Sequence, residues 1–418
     1  MRAISIDETR VVNKKDILFL DNLARSTIFK IFKRIRVGHL ILTEGDRTYT
    51  FGQPRHDAEI IAKISVNHGW AYRQALFRGS VGSGEAYMLE GWSSPDPLNV
   101  VRLMVRNQHM REAMDHRWGF LNALISRISK FLSRNNIHGS KANISAHYDL
   151  SNEFFQLFLD DHMMYSSAVF NDHQSSLEDA SVTKMQSVCD ALKLTEQDHL
   201  LEIGTGWGGM AIYAAKTSGC RVTTTTISQE QYAYARARVE REGLSDRVTV
   251  LCQDYRTLEG QYDKIVSIEM IEAVGHKYYP TYFSNCSSLL KENGLMFIQA
   301  ITIADQRYDK ARKSTDFIQQ YIFPGGVLPS IEIIAKNIRA HTNMQMVSLT
   351  DITGDYVLTL DNWRRRFQKN IHKVRELGFD PMFERMWEYY LFYCQGGFQE
   401  RVISTVQLVL AKPLAKNF

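Results

Sequence analysis

The sequence predicts an α/β fold: a doubly wound, mostly parallel sheet preceded by a smaller mixed α/β domain. Three observations predict it. From residue 195 onward, short apolar strand candidates alternate with helical stretches, the pattern of parallel strands joined by helical crossovers. Within that region Leu200-Leu201-Glu202-Ile203-Gly204-Thr205-Gly206-Trp207-Gly208-Gly209-Met210 reads as a strand, a glycine-rich loop and the start of a helix. Ahead of it the polar run Asn135-Asn136-Ile137-His138-Gly139-Ser140-Lys141 reads as a linker, so domains of 1–140 and 141–418 are expected.

Taken in order, residues 17–36 form a helix, because Leu20, Leu23, Ile28, Ile31, Phe32 and Ile35 fall near one stripe with cations around it. His39–Thr43 and Arg47–Phe51 alternate in strand fashion across Glu44-Gly45-Asp46 and predict a hairpin; Ile60–Val66 is a third strand. Trp70–Leu76 and Leu98–Arg106 read as short helices, separated by the glycine-rich stretch 79–84 and by Ser93-Ser94-Pro95-Asp96-Pro97. Leu121–Ser133 is amphipathic and basic, suited either to an anionic membrane surface or, more commonly, to packing on the protein's own core. The second domain then offers seven strands: His199–Ile203, Arg221–Thr226, Val248–Cys252, Lys264–Ile268, Leu295–Ile301, Met344–Ser348 and Val402–Leu410. Two long insertions rich in aromatics and helix formers, about 303–343 and 351–400, fall between the late strands, where they can cover a ligand.

Composition narrows the class. Hydrophobic residues make up 44% and charged residues 23% of 418, ordinary for a globular protein, and no apolar run is long enough to span a bilayer. Met1–Glu8 carry no apolar core of the signal-peptide kind. Five scattered cysteines, with no C-x-x-C pair, point to reduced thiols in a cytoplasmic protein and to no zinc site. The net charge of +4 conceals an asymmetry: residues 1–140 hold 21 Lys/Arg against 13 Asp/Glu, the rest 29 against 33. A basic front half fits an anionic surface, and fits an unevenly charged solvated surface equally well.

Dinucleotide and S-adenosylmethionine sites share the glycine loop, so its neighbours must discriminate. A dinucleotide site places an acid at the end of the second strand; here that strand ends Thr223-Thr224-Thr225-Thr226, and the next acid is Glu230. Glu202 instead ends the first strand beside the glycines, where a carboxylate suits a cationic, amino-acid-bearing cofactor. Gln253-Asp254-Tyr255 adds a polar group and an aromatic at an adenine position. The acids favour S-adenosylmethionine.

Several segments then coincide with one family: His147–Phe155, Met164-Tyr165-Ser166-Ser167-Ala168, Thr226–Gln231, Gln253–Tyr255, Glu269-Met270-Ile271-Glu272-Ala273-Val274-Gly275, Tyr321–Ser330 and Tyr389–Phe398. In this order and spacing, from about 140 to 412, the chain resembles the cyclopropane-fatty-acyl-phospholipid synthases and the related mycolic acid methyltransferases. More loosely, the first domain is similar to the lipid-binding domain of the bacterial synthases. The resemblance implies a class I methyltransferase with a Rossmann-like seven-stranded sheet and helical lid insertions. It implies transfer of the methyl carbon of S-adenosylmethionine to a cis double bond of a phospholipid acyl chain. A carbocation forms and, on losing a proton from the new methyl group, closes a cyclopropane. The implied partners are unsaturated phospholipid chains at an anionic membrane surface, on the inner face of the membrane, and a second copy of the chain; nucleic acid is not one.

By the same resemblance, the family holds a bicarbonate ion as its base. Glu272 orients that ion or stabilises positive charge, Tyr321 donates a hydrogen bond to the ion, and the backbone of Ile301 lines it. Cofactor positions are Tyr165, Ser166, Glu202, Gly204, Gly206, Trp207, Gly208, Thr226, Gln231, Asp254 and Tyr255; no metal is implied. Three positions depart from the family pattern: Ser167 replaces a cysteine, Ala273 a histidine, and Gln299 a histidine. Serine and glutamine still hydrogen-bond an anion, but an amide cannot shuttle a proton as imidazole does. Ring closure is therefore the affected step, and a methyl- or methylene-branched product is the alternative. Taken singly, Glu272 reads as a surface or capping acid and Tyr321 as a core aromatic. His147 reads as structural rather than as a metal ligand. Trp387, Tyr389, Tyr390, Phe392 and Tyr393 read mainly as helix packing.

Overall fold

The computed structural model describes residues 14–53, 60–109 and 150–416. The amphipathic stretch 121–133, the linker 135–141 and the start of the His147 motif lie outside the described residues. The chain divides into two compact units, 1–142 and 143–418.

The first unit opens with the helix Lys14–Phe32, followed by β1 (His39–Glu44), β2 (Arg47–Gly52) and β3 (Ile61–Val66). The helix Trp70–Met88, β4 (Trp92–Ser93) and the helix Pro97–Arg106 complete it. The sheet order is β2-β1-β3-β4: the hairpin β1–β2 is antiparallel, and β3 lies parallel to β1. One expectation needs correction. The glycine-rich stretch does not separate two helices by a loop; the helix Trp70–Met88 runs through it and breaks only at Gly79, where φ is 54° and ψ is −130°. At Gly82 an added Cβ would lie 2.1 Å from the Gln74 carbonyl oxygen, so glycine there permits close packing across the kink.

The second unit is built on β5 (His199–Ile203), β6 (Arg221–Thr226), β7 (Val248–Cys252), β8 (Tyr262–Ile268), β9 (Leu290–Ile303), β10 (Gln345–Asp351) and β11 (Ile403–Ala411). They form one seven-stranded sheet in the order β10-β11-β9-β8-β5-β6-β7. β5 to β9 pair in parallel, and β11 is antiparallel to both its neighbours. Parallel strands covered on both faces must be apolar on both: Leu200 and Leu201 point to opposite faces and both are 0% exposed. On one face Leu200, Val222 and Val266 meet Met185, Val188 and Met210 of the helices Leu177–Leu192 and Gly209–Ser218. On the other, Leu201, Ile265 and Ile298 meet Tyr282, Phe283 and Ile334 of the helices Tyr279–Leu289 and Ile331–His341.

The strand order reverses between β5 and β8, the neighbours at the centre of the sheet. In open α/β sheets a ligand crevice lies beyond the carboxyl ends of the strands at such a point. Glu202 stands at that edge of β5, and Glu269 is the first residue past β8. All five cysteines are free, and no helix among the described residues is long and apolar enough to cross a membrane.

Candidate active site

The floor of the site is the turn out of β5. Gly204, Gly206 and Gly208 adopt φ of 103°, 52° and 83°, a region L side chains rarely enter. The N–H groups of Gly204 and Thr205 both donate to the Thr225 carbonyl at 3.0 Å, which ties the loop to β6. A Cβ built on Gly206 meets nothing within 4 Å, so that side of the loop is open to a ligand. The other side is tight: a Cβ on Gly209 would lie 2.5 Å from the His162 carbonyl oxygen. Trp207 anchors the turn, its indole N–H donating to Asn152 Oδ1 at 2.6 Å.

Glu202 is buried at the end of β5, and the Thr224 hydroxyl donates to its Oε2 at 2.6 Å. Burial pushes its carboxyl up to about 8, opposed by that single hydrogen bond. The threonine run of β6 finds a use here for each hydroxyl. Thr223 bonds His199 and Thr225 donates to the Gln253 carbonyl, while Thr226 donates to Gln231 Oε1 at 2.9 Å. Beyond β7, Asp254 caps the turn Tyr255–Thr257, and its carboxylate, paired with Arg256 at 2.6 Å, is held below the ordinary range. Tyr255 is half-buried against Tyr282, with ring centroids 5.8 Å apart.

The segment 160–168 crosses over the loop. Arg238 donates to the His162 carbonyl at 3.0 Å, and the Asp160 carboxylate accepts the His162 and Met164 N–H groups. Lys184, fully buried, donates to Ser166 Oγ at 2.7 Å; burial brings its ammonium down to about 8. The segment thus presents Tyr165, Ser166 and Ser167 at the carboxyl edge of the sheet.

Two carboxylates meet that segment. Glu269 takes φ of 49°, left-handed for a non-glycine residue. Its Oε1 accepts from the Ser167 N–H at 2.9 Å and from Gln299 Nε2 at 2.8 Å; its Oε2 accepts from the Tyr356 hydroxyl at 2.8 Å. Burial pushes its pKa up, against these bonds and the Lys184 charge. Gln299 is fully engaged: Nε2 also donates to the Ser167 carbonyl at 3.1 Å, and Oε1 accepts from Gln407 at 3.0 Å. Glu272 Oε1 accepts from the Ile301 N–H, while its Oε2 is buried without a partner. Burial and the Glu269 charge push its carboxyl up to about 8. Both glutamates keep part of their surface accessible, as side chains lining a cleft do.

The insertions close over this edge. Tyr356 comes from the helix Thr353–Lys369 and stacks on Phe398, centroids 4.4 Å apart. Tyr390, from the helix Pro381–Gln399, accepts from the Tyr165 hydroxyl at 3.1 Å. The Tyr165 ring is enclosed by Phe155, Phe158, Trp363 and Phe323 at centroid distances of 5.2, 6.3, 5.2 and 6.0 Å. Tyr321 ends the helix Phe317–Tyr321, its ring 5.1 Å from Phe317.

This fold is shared with known proteins. The sequence profile of the mycolic acid cyclopropane synthetase family matches residues 136–408. The chain belongs to this family. It is 36% identical over 341 residues to the tuberculostearic acid methyltransferase UfaA1 of Mycobacterium tuberculosis, covering 80% of this chain and 79% of that one. It is 35% identical to the cyclopropane-fatty-acyl-phospholipid synthase of Escherichia coli, covering 84% and 88%. Among solved structures, the mycolic acid cyclopropane synthase CmaA1 complexed with SAH and CTAB superposes with a TM-score of 0.59 at 29% identity, covering 65% of this chain and 98% of that one. The chain is therefore an S-adenosylmethionine-dependent methyltransferase of the cyclopropane synthetase family, and its fold is the class I methyltransferase fold.

The structure brings Ser167, Gln299, Glu272 and Ile301 together, and separately sets Glu202, the glycines, Thr226 and Gln231 around the loop. Sequence reasoning assigned no role to Glu269, Tyr356 or Lys184. An acid directly after the fourth strand was a signal for Glu269; Tyr356 lies far along the chain in a lid helix, and Lys184 sits in a core helix ahead of the glycine loop. The residues present fit the methyl donor: the open side of the glycine loop and the buried Glu202 carboxyl suit its amino-acid end. Because that carboxyl is protonated below about 8 when folded but ionises near 4.5 when free, its stabilising neutral form is complete below 4.5 and is lost as pH rises through 8. Glu202→Gln should therefore raise the Tm of the cofactor-free enzyme by an increment that grows from pH 5 to 8, measured by calorimetry. Wild-type affinity for S-adenosylmethionine should rise over the same range as the carboxylate forms, and Glu202→Gln should bind at least ~10-fold more weakly, about the size of one charged hydrogen bond.

Proposed function

We propose that this methyltransferase adds the methyl carbon of S-adenosylmethionine to a cis double bond of an unsaturated phospholipid acyl chain, giving a cyclopropane fatty acid. The observation that carries the reading is the aromatic enclosure at the carboxyl edge, where Phe155, Trp363 and Phe323 surround Tyr165, itself within electrostatic reach of Glu269. An alkene attacking a sulfonium methyl leaves a carbocation. Aromatic faces stabilise a cation without trapping it as a nucleophile would, and an enclosed apolar slot withholds water. S-adenosylmethionine, when bound, supplies the electrophilic methyl carbon. Glu202 holds the polar end of the donor, the glycine loop lets the backbone approach it, and Tyr165 forms the wall between donor and acceptor.

The similarity to an acyl-phospholipid synthase and to a tuberculostearic acid methyltransferase supports a lipid acceptor. The second of these also supports a methyl- or methylene-branched product. Gln299 favours it as well, since its amide is held by three hydrogen-bonding partners and moves no proton. For docking on a membrane, the first unit offers exposed Leu18, Phe19 and Leu23 on the helix Lys14–Phe32 and a charge excess in residues 1–140. A peripheral site on the inner face and a homodimer belong to the same reading.

Lipids from cells expressing the chain should gain 14 mass units on unsaturated acyl chains, with fragmentation separating a ring from a branch; unchanged chains would refute the reading. In the same extracts Glu272→Gln should abolish product while leaving cofactor affinity within a few-fold, and a wild-type yield would remove Glu272 from the mechanism. Binding to anionic liposomes should weaken as salt rises, since exposed charges are screened over about 8–10 Å at physiological ionic strength. Salt-insensitive sedimentation would point to apolar insertion by Leu18, Phe19 and Leu23 instead.

A further inference from the structure

We propose that the carboxylate of Glu269 is the proton acceptor of the reaction, occupying the place in which the family resemblance put an external bicarbonate. The proposal rests on the reading above, in which methyl transfer generates a carbocation that must lose a proton.

The donors expected to ring a bicarbonate are already taken by the chain itself. The Ser167 N–H and the Gln299 amide both donate to Glu269 Oε1, and the Ile301 N–H donates to Glu272. A bicarbonate brought here would find these donors engaged and two carboxyl groups beside it. Two like charges 4 Å apart repel by about 4 kcal/mol at an effective dielectric of about 20, comparable to or larger than a charge-assisted hydrogen bond of about 1.5–3 kcal/mol. The residues present do not fit the ion. They fit a tethered carboxylate, which costs no binding entropy each cycle.

The backbone is distorted in favour of this placement. At φ of 49° a glutamate is strained where glycine would be at ease. Strain of this kind persists when the surrounding contacts determine it, and three converging donors do so here. A carboxylate offers four lone-pair positions. The Ser167, Gln299 and Tyr356 bonds fill three, and the fourth, on Oε2, is left for the incoming proton. Met270, the next residue, lies 3.5 Å from a Cβ built on Gly204, so Glu269 stands immediately beside the loop that receives the methyl donor.

The step balances without a further reactant. The alkene π pair forms the new C–C bond as the C–S bond breaks, releasing S-adenosylhomocysteine and leaving a carbocation. Glu269 Oε2 then takes a proton from the new methyl group. The freed C–H pair closes the three-membered ring or, after a hydride shift onto the neighbouring cationic carbon, forms the C=C bond of a methylene branch. The proton passes to water when product leaves.

The test uses the full-length enzyme, unsaturated phospholipid vesicles and buffers either scrubbed of carbon dioxide or supplemented with bicarbonate. Wild-type turnover should be the same in both. Glu269→Gln, which keeps the size of the side chain, should lose at least about 100-fold in kcat, the low end for removal of a general base, with cofactor affinity within a few-fold. Glu269→Gly, which relieves the strained φ and frees the Ser167 and Gln299 donors, should be inactive in scrubbed buffer and should recover at least about 10-fold with added bicarbonate or formate. A merely structural glutamate would show no such rescue. Wild-type turnover that tracks bicarbonate overturns the proposal. So does a Glu269→Gln enzyme near wild type, or a cofactor-binding Glu269→Gly enzyme that no small carboxylate restores. Wild-type enzyme that modifies no unsaturated phospholipid would instead fail the functional reading itself.

Discussion

Carboxyl groups gathered in a place that water hardly reaches are the constraint on which the second unit depends. Glu202, Glu269 and Glu272 all sit at the carboxyl edge of the sheet, and burial pushes the pKa of each upward. Lys184 is a buried cation near Glu269, and it is itself brought down by burial. A buried carboxylate without a partner is costly, so such an edge favours a cationic guest. A sulfonium donor carries that charge.

The remaining architecture serves this edge. The buried threonines of β6 look out of place in a strand covered on both faces, until their hydroxyls are followed to Glu202, Gln253 and Gln231. The lid helices have two tasks. They bring Tyr356 and Tyr390 down to Glu269 and Tyr165, and they surround Tyr165 with aromatic faces that tolerate positive charge. The segment 160–168 joins loop and lid, and Gly209 is what lets it lie so close, since any Cβ there would meet the His162 carbonyl.

Much of this was legible in the chain. Six of the seven strands of the large sheet follow from runs rich in apolar residues and bounded by turn signals, β6 follows from its β-branched run, and the three longer strands of the small sheet follow from alternation; β4, two residues long, is too short to show a period. Glu202 and the glycines could be read as a cofactor site because strand end, loop and helix start are contiguous. The kink at Gly79 was less legible: a glycine cluster signals a break, but whether helix resumes on the far side depends on packing such as that at Gly82. Glu269 lay inside a recognised motif, yet its neighbour Glu272 drew the attention because the family pattern assigns that position a role.

By itself the sequence determined the fold class, the methyl donor and the family, since each rests on residues close together in the chain: a strand, its loop, and the period of the helices that follow. Only the tertiary structure decided what occupies the donors at the catalytic edge. Ser167, Glu269, Gln299 and Tyr356 span nearly two hundred positions and come from a crossing segment, two strand ends and a lid helix. Hydrogen bonds among them are set by sheet order and by one left-handed residue, neither of which leaves a periodic trace in sequence. That is why the chain announces a methyltransferase rich in carboxyl groups, and only its folded form shows which of them the Ser167, Gln299 and Tyr356 donors hold.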